Sequence, residues 1–243
     1  MDLGIDGRVA IVTASSAGLG LASARALASE GSRLVICSRS EERVRRAEEE
    51  LRGAGADVLA LTADVTKPET PGMLVAAALE RFDRLDIVVA NAGGPPPGRA
   101  LDVDDEAIEA ALEANLLASV RLVRSALPHL RAGRWGRICC ITSYTIVQPV
   151  PTLALSNLAR TGLWAWAKTA AADLAAEGAD ITLNLVCPGP HATQRMLDLG
   201  GAQSGRMGDP DDFGRVVAFL CSDSAGFVNG AALVVDGGTT LAL

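Results

Sequence analysis

A chain of 243 residues with 49% hydrophobic content is long enough to bury a large core within one α/β domain. Lys and Arg number 22 against 29 Asp and Glu, a formal net charge of −7, and this balance argues against a nucleic-acid surface. Five cysteines (Cys37, Cys139, Cys140, Cys187 and Cys221) form no C-x-x-C, so they read as small apolar residues in a reducing cytosol and supply no metal site. No uncharged apolar run approaches about eighteen residues and the first residues show no signal-peptide pattern, so the expectation is a cytoplasmic protein without membrane contact.

The elements alternate along the chain. Val9 to Val12 is a short apolar strand that runs through small residues into a helix from about Leu21 to Glu30. Arg33 to Cys37 is a second strand, after which Ser40 caps a charged helix over Glu41 to Arg52, with two acids in the first turn where the dipole favours them. Asp57 to Leu61 is a third strand. A helix from Pro68 to Phe82 follows, Pro68 suiting its first turn. Asp86 to Ala90, Arg137 to Thr142, Ile181 to Val186 and Ala231 to Val235 complete seven strands. Long helical patterns lie between them, over Asp104 to Leu130 and Leu153 to Glu177, with a shorter one over Asp209 to Cys221. Strands alternating with helices imply βαβ crossovers, hence one doubly wound α/β domain with a parallel seven-stranded sheet over residues 1–243.

The first strand-to-helix turn, Thr13-Ala-Ser-Ser-Ala-Gly18-Leu-Gly20, has the character of a phosphate site. A helix N-terminus leaves amide N–H groups unpaired and partly positive, and glycines let a pyrophosphate approach closely. A glycine pair in a loop can also be a mere turn. The decisive feature is that several motifs occur together: that turn, Asp64-Val65, Asn91-Ala92-Gly93, Asn115, Ser143, Asn184-Leu-Val-Cys-Pro188-Gly189 and Val235-Asp-Gly-Gly238. In order and spacing the chain resembles the short-chain dehydrogenase/reductase family over essentially its whole length. The resemblance implies a Rossmann fold, an NAD or NADP cofactor and hydride transfer between nicotinamide and a small-molecule carbonyl or alcohol. It also implies a homo-oligomer, a tetramer or a dimer, with Trp164 and Trp166 of the second long helix as packing or interface residues.

By the same resemblance, Thr13, Ser15, Ser16, Gly18, Leu19 and Gly20 belong to the pyrophosphate turn, and Asp64 and Val65 meet the adenine. Asn91, Ala92 and Gly93 lie along the ribose side, while Pro188, Gly189 and Thr193 belong to the loop over the nicotinamide. Ala14 stands where the family usually has its first glycine, a change that is harmless if its φ is negative. At the end of the second strand, an acid would bind ribose hydroxyls and repel a 2′-phosphate. Here Ser38 removes the repulsion and Arg39 offers a phosphate-binding guanidinium, favouring NADP(H) over NAD(H). The competing reading of Arg39 is a solvated charge at the head of an arginine-rich helix.

The catalytic end departs from the family. Its pattern is a serine, a tyrosine thirteen residues later and a lysine four further on, with an asparagine on the preceding long helix. The serine is Ser143 and the asparagine Asn115, but the other two positions hold Ser156 and Arg160, and the only tyrosine is Tyr144. A phenol near pKa 10 can be pulled towards neutrality by an ammonium and then donate a proton to a developing alkoxide; a serine hydroxyl is too weak an acid. Arg160 keeps the charge and the donors for the nicotinamide ribose but cannot itself deliver a proton at ordinary pH. Being i,i+4, Ser156 and Arg160 share a helix face, which could be catalytic or simply structural. Candidate substitute acids are Tyr144, which strand alternation would turn away from Ser143, and His191, in the loop over the nicotinamide. That loop, Pro190 to Gly205, is short for the family, suggesting an open pocket with Met196, Leu197 and Leu199 as one apolar patch. Three readings follow: an NADP(H)-dependent oxidoreductase with an atypical site, a non-redox isomerase or dehydratase, and a nucleotide-binding protein without catalysis.

Overall fold

A computed structural model of the chain describes residues 2–201 and 206–242. Seven parallel strands form one sheet in the order β3-β2-β1-β4-β5-β6-β7. They are β1 (Val9–Val12), β2 (Arg33–Ser38), β3 (Val58–Thr62), β4 (Ile87–Ala90), β5 (Trp135–Ile141), β6 (Asp180–Pro188) and β7 (Ala232–Val235). The central strands are almost wholly buried, as near-continuous apolar runs must be when helices cover both faces.

On one face lie α1 (Gly18–Ser29), α2 (Glu41–Gly53) and α8 (Pro210–Leu220), closing over Ile11's neighbours Ala10 and Val12 together with Leu34, Ile36 and Phe213. The other face carries α3 (Thr70–Phe82), α5 (Ala118–Gly133) and α6 (Ala154–Ala176) over Val9, Ile11, Val35 and Val88. This division follows from the period of two along each strand: alternate residues of β1 face opposite layers. The strand order reverses between β1 and β4, so the crevice outside their C-terminal ends is where such a sheet can take a ligand.

Three local expectations need correcting. Pro68 lies outside α3, in a turn that Thr70 N closes on the Lys67 carbonyl at 3.1 Å, and the first turn of α3 holds Pro71 instead; Thr70 Oγ1 donates to the Asp64 carbonyl at 2.7 Å. The long pattern before β5 is not one regular helix. It is α4 (Asp105–Leu112), a π-helical turn over Glu113–Leu117, then α5. The loop after β6 contains a short helix, α7 (Gln194–Asp198), capped by Thr193 Oγ1 accepting from Met196 N at 3.3 Å. All five cysteines are buried free thiols, and burial pushes Cys37 up to about 11 and Cys140 up to about 12. Among the described residues no His, Cys, Asp and Glu group could hold a metal, and no helix is long and apolar enough to cross a membrane.

Candidate active site

The crevice begins at the turn after β1. Thr13 Oγ1 donates to the Asn91 carbonyl at 2.7 Å and accepts from Asn91 N at 2.8 Å, stitching β1 to β4 where the strand order reverses. Asn91 Nδ2 donates to the carbonyl of Ala14 at 3.1 Å. Ser15 is held from both sides, its N–H on the Cys37 carbonyl at 3.0 Å and its hydroxyl on the Val12 carbonyl at 2.6 Å. These bonds set Ala14 at φ +46°, so the negative φ expected there is overturned. A left-handed conformation costs an L-residue about 1–2 kcal/mol, and it persists here because its neighbours are pinned.

Two glycines follow for different reasons. Gly18 has φ +56°. Gly20 has no room for a side chain, since a Cβ would stand 2.5 Å from the Ala14 carbonyl oxygen and 2.7 Å from Asn91 Nδ2. The residue preceding α1, Ala17, offers no side-chain cap and the first turn holds no acid, so the amides of Gly18, Leu19 and Gly20 are left for an external acceptor. Thr193 closes over this turn from the opposite lip, its methyl 3.5 Å from where a Gly18 Cβ would be. At Gly93 a Cβ would meet nothing within 4 Å, so this stretch of backbone faces open space.

At the end of β2, Ser16 and Ser38 share a hydrogen bond between hydroxyls at 2.9 Å. The Asp64 carboxylate accepts from Thr66 N at 3.0 Å and Thr66 Oγ1 at 2.9 Å. These bonds hold it below the usual carboxylate range, and the charges of Arg39 and Lys67 act in the same direction. Arg39 therefore stands close enough to Asp64 to be felt, beside the serine pair. Val65 lines a small cavity of about 10 Å³ with Thr13, Asn91 and Ser119.

Of the catalytic candidates, Arg160 reaches the end of β5, next to Ser143. Arg160, only 7% exposed on α6, donates from Nη1 to the carbonyls of Ile141 and Thr142, both at 3.0 Å. That brings it against the residue preceding Ser143. Ser156 lies one turn earlier on the same helix face, also buried, and its hydroxyl is bonded to no described residue. Ser143 Oγ accepts from Thr145 N at 3.2 Å and keeps its proton to donate. Asn115 sits in the π-helical turn, 2% exposed, with neither amide atom paired. A π turn inserts an extra residue and redirects the side chains around it, which is how such turns come to mark functional sites. Burial pushes the Arg160 guanidinium down to about 10; Cys187 opposes the shift and Arg195 adds to it. Arg160 stays charged at neutral pH.

Tyr144 and His191 stand differently from what the sequence suggests. Because β5 ends at Ile141, Tyr144 belongs to a 3₁₀ turn over Tyr144–Ile146 and strand alternation does not govern it. It is half-buried, and burial and the charge of Asp236 both push its phenol up, away from proton donation near neutrality. His191, though in a loop, is buried. Its Nδ1 lies 3.0 Å from the Gly189 carbonyl, its ring meets Phe213 edge-on at 5.2 Å, and a Cβ on Gly208 would come within 2.8 Å of it. Pro188 ends β6, and Gly189 packs so closely on Asp236 that a Cβ would approach its Cβ to 2.4 Å. Trp164 and Trp166 pack, partly buried, on the core face under α6. Of the apolar trio in the loop, Leu197 is the exposed member, and part of the span from Pro190 to Gly205 lies outside the described residues.

One site residue carries no signal in the sequence. Arg195, on α7, reaches across the crevice mouth to the Pro95 carbonyl, with Nη2 at 2.5 Å, and lies over Gly94. An isolated arginine in an irregular loop has no pattern to betray it; only the approach of two loops a hundred residues apart reveals it.

The chain is similar over nearly its whole length to known proteins. A family model described as Enoyl-(Acyl carrier protein) reductase matches residues 13–240. The chain is 33% identical to Dehydrogenase/reductase SDR family member 4 of Mus musculus, over 97% of this chain and 88% of that protein. The L-sorbose reductase of Gluconobacter frateurii, solved with NADPH and L-sorbose, superposes with a TM-score of 0.92 at 31% identity, each chain fully covered. An actinorhodin polyketide ketoreductase solved with NADPH gives 0.88 at 32% identity, over 95% of this chain and 96% of that one.

Proposed function

Since the chain belongs to the short-chain dehydrogenase/reductase family, we propose that it is an NADP(H)-dependent oxidoreductase that reduces a small-molecule carbonyl, or oxidises the alcohol, with Ser143, Ser156 and Arg160 in place of serine, tyrosine and lysine. The observation that carries this reading is the cofactor cradle. The first turn of α1 is uncapped, Gly20 is packed too tightly for any side chain, Gly93 faces open space, and the end of β2 presents two serines and an arginine where an acid would repel a 2′-phosphate. These residues fit a dinucleotide. NADPH would be held by the turn from Thr13 to Gly20, Ser38 and Arg39 on the adenosine side, Asn91 to Gly93, Arg160, and the loop Pro188, Gly189 and Thr193. When bound, it supplies the hydride.

The remaining work falls to the protein. Ser143 Oγ and Ser156 Oγ donate hydrogen bonds to the carbonyl oxygen, and the fixed charge of Arg160 stabilises negative charge developing there. Arg160 is itself oriented by the carbonyls of Ile141 and Thr142. The proton reaches the oxygen from water through the Ser156 hydroxyl, since neither serine is acidic enough to be its ultimate source. Asn115, with a buried unpaired amide beside α6, completes the polar lining. The raised phenol of Tyr144 favours a second reading, nucleotide binding without redox turnover. We place the enzyme in the cytosol, as a homo-oligomer.

Titration of the protein with NADPH and NADH, read by tryptophan quenching, tests the reading. The expected result is micromolar NADPH binding, at least tenfold weaker NADH binding, and loss of the preference in Arg39→Ser. Gly93→Ala should fold normally yet weaken NADPH. Failure of the folded protein to bind either nucleotide overturns the assignment. A Ser143→Ala variant with unchanged turnover of an identified substrate removes Ser143 from the mechanism.

A further inference from the structure

Ser143 opens a short turn that is bonded mainly to itself. Its carbonyl accepts from Ile146 N at 3.2 Å, and the Tyr144 carbonyl accepts from Val147 N at 3.0 Å and Gln148 N at 3.1 Å. The bond that leaves the turn runs from Leu241 N to Gln148 Oε1, at 2.7 Å across 93 residues of sequence. The C-terminal segment that makes this bond is itself fastened at Asp236. The Asp236 carboxylate accepts from Gly238 N at 2.9 Å and Thr240 N at 2.6 Å, and its carbonyl accepts from Thr239 Oγ1 at 2.8 Å. Bonds from amides to a carboxylate are charge-assisted and stronger than neutral ones. The Thr240 hydroxyl is buried without a partner, so this segment is seated against the fold and does not trail in solvent. Asp236 also abuts Gly189, whose N–H donates to the Val235 carbonyl at 2.9 Å and where a Cβ would stand 2.4 Å from the Asp236 Cβ.

We infer that residues 236–241 form a strap that positions the Ser143 turn against the Gly189 loop, with Gln148 and Asp236 as its two fastenings. What Ser143 and Gly189 then hold rests on the oxidoreductase reading; the strap does not. A single 3₁₀ turn has poor hydrogen-bond geometry and little stability of its own, so the aim of the Ser143 hydroxyl depends on where the far end of the turn is tied. Gln148 supplies that tie from its side chain, and Asp236 fixes the segment that offers the N–H. Because Asp236 also packs on Gly189, one residue sets the end of β5 in register with the loop after β6. Such register matters, since a reacting group displaced by about 1 Å can lose about a hundredfold in rate. Neither Asp236 nor Gln148 touches a reacting atom in this arrangement. They are positioning residues that act through Ser143 and Gly189. Burial raises the Tyr144 phenol and the Asp236 charge adds to it, so the only tyrosine of the chain reports on the same fastening.

The test uses the full-length protein and the variants Gln148→Leu, Gln148→Glu and Asp236→Asn, each checked for folding by circular dichroism. Hydrogen exchange is followed over residues 143–148 without nucleotide. It should quicken about fivefold or more in Gln148→Leu and Asp236→Asn, and stay near the wild-type rate in Gln148→Glu, whose carboxylate still accepts from Leu241 N. That rescue, with the urea midpoint of Gln148→Leu unchanged, separates positioning from general loosening. Absorbance titration should find the Tyr144 phenol at lower pH in Asp236→Asn than in the wild type. NADPH affinity should fall about fivefold in Asp236→Asn, through the Gly189 loop. Unchanged exchange in Gln148→Leu, or exchange just as fast in Gln148→Glu, overturns the strap. If Asp236→Asn does not fold, the Gln148 pair decides alone. Unaltered NADPH affinity in a folded Asp236→Asn, from a wild type that binds NADPH, overturns the link to Gly189. The exchange response in a protein that binds no nucleotide would instead keep the strap and sink the oxidoreductase reading.

Discussion

Arg137 and Arg160 are both buried and both touch β5, one near its start and the other at its end, yet they are opposites. Arg137 has every donor group occupied: Nε on the Ser222 carbonyl at 3.0 Å, Nη1 on two carbonyls and Asp180 Oδ1, and Nη2 on Asp180 Oδ2 at 3.1 Å. Its guanidinium also stacks 4.4 Å from the centroid of Trp135. Arg160 makes two bonds, both to neutral oxygens, and has no carboxylate. A charge whose partners are all built in serves the fold. A charge buried and left short of partners weakens the fold and is available to a ligand. The two ends of one strand thus divide the labour, the N-terminal end for stability and the C-terminal end for the site.

The largest effect should come from breaking the satisfied arginine. Arg137→Ala strands the Asp180 carboxylate and three carbonyl oxygens. Removing one member of a buried pair costs about 3–5 kcal/mol, and because Asp180 is half-exposed the lower end applies, about 3 kcal/mol. Urea unfolding would register this as a lower midpoint with an unchanged slope. A loss below about 1 kcal/mol would mean that the burial of Arg137 matters little to the fold.

Arg160→Met sharpens the comparison from the other side. It should leave stability within about 1 kcal/mol of the wild type, or raise it, because an uncompensated charge leaves the interior. The same variant should lose at least tenfold in NADPH affinity, about 1.4 kcal/mol. The sign with pH follows from the depressed value. The guanidinium is about 10 folded against an ordinary 12.5, so the folded state disfavours its charged form. That penalty, about 3 kcal/mol for a shift of this size, is fully present below pH 10 and relaxes as pH rises through 10 towards the unfolded value. The stability difference between Arg160→Met and wild type should therefore be largest at pH 8 and shrink by pH 10.5. A difference that stays flat or grows would show that Arg160 is compensated after all.

Much of this was legible beforehand, and the rest was hidden for identifiable reasons. Seven strands and the long helices follow from apolar runs and helical periodicity, and β1 is placed to the residue because four buried apolar positions end abruptly in small ones. Ser40 is readable as a cap because its chemistry is local, and its side chain does accept from Arg43 N. The features that escaped are those set by distant partners. The π turn at Asn115 leaves no mark on periodicity over five residues. The burial of His191 depends on Phe213, and the reach of Arg195 depends on Pro95, neither of them a neighbour in sequence. Tyr144 was misread because strand alternation was carried beyond the end of β5 into a 3₁₀ turn.

Ala14 gives the smallest expected effect and the most direct contrast between fold and site. Its φ of +46° is imposed by Asn91 on its own carbonyl and by the bonds that hold Ser15, so the strain belongs to the turn and not to the alanine's own contacts. Ala14→Gly relieves about 1–2 kcal/mol of steric cost but adds freedom to the unfolded chain worth about 0.4–1 kcal/mol in the opposite direction. The net expectation is a gain of up to about 1 kcal/mol, seen as a melting temperature higher by a few degrees. NADPH affinity should hold or improve, since a methyl leaves the turn that faces the pyrophosphate. Lower stability in Ala14→Gly would mean that the methyl makes packing contacts outweighing the backbone strain. Lower stability in Arg160→Met as well would leave the C-terminal ends of β1 and β5 no more strained than the rest of the sheet, and the division between fold and site would fail at both strands.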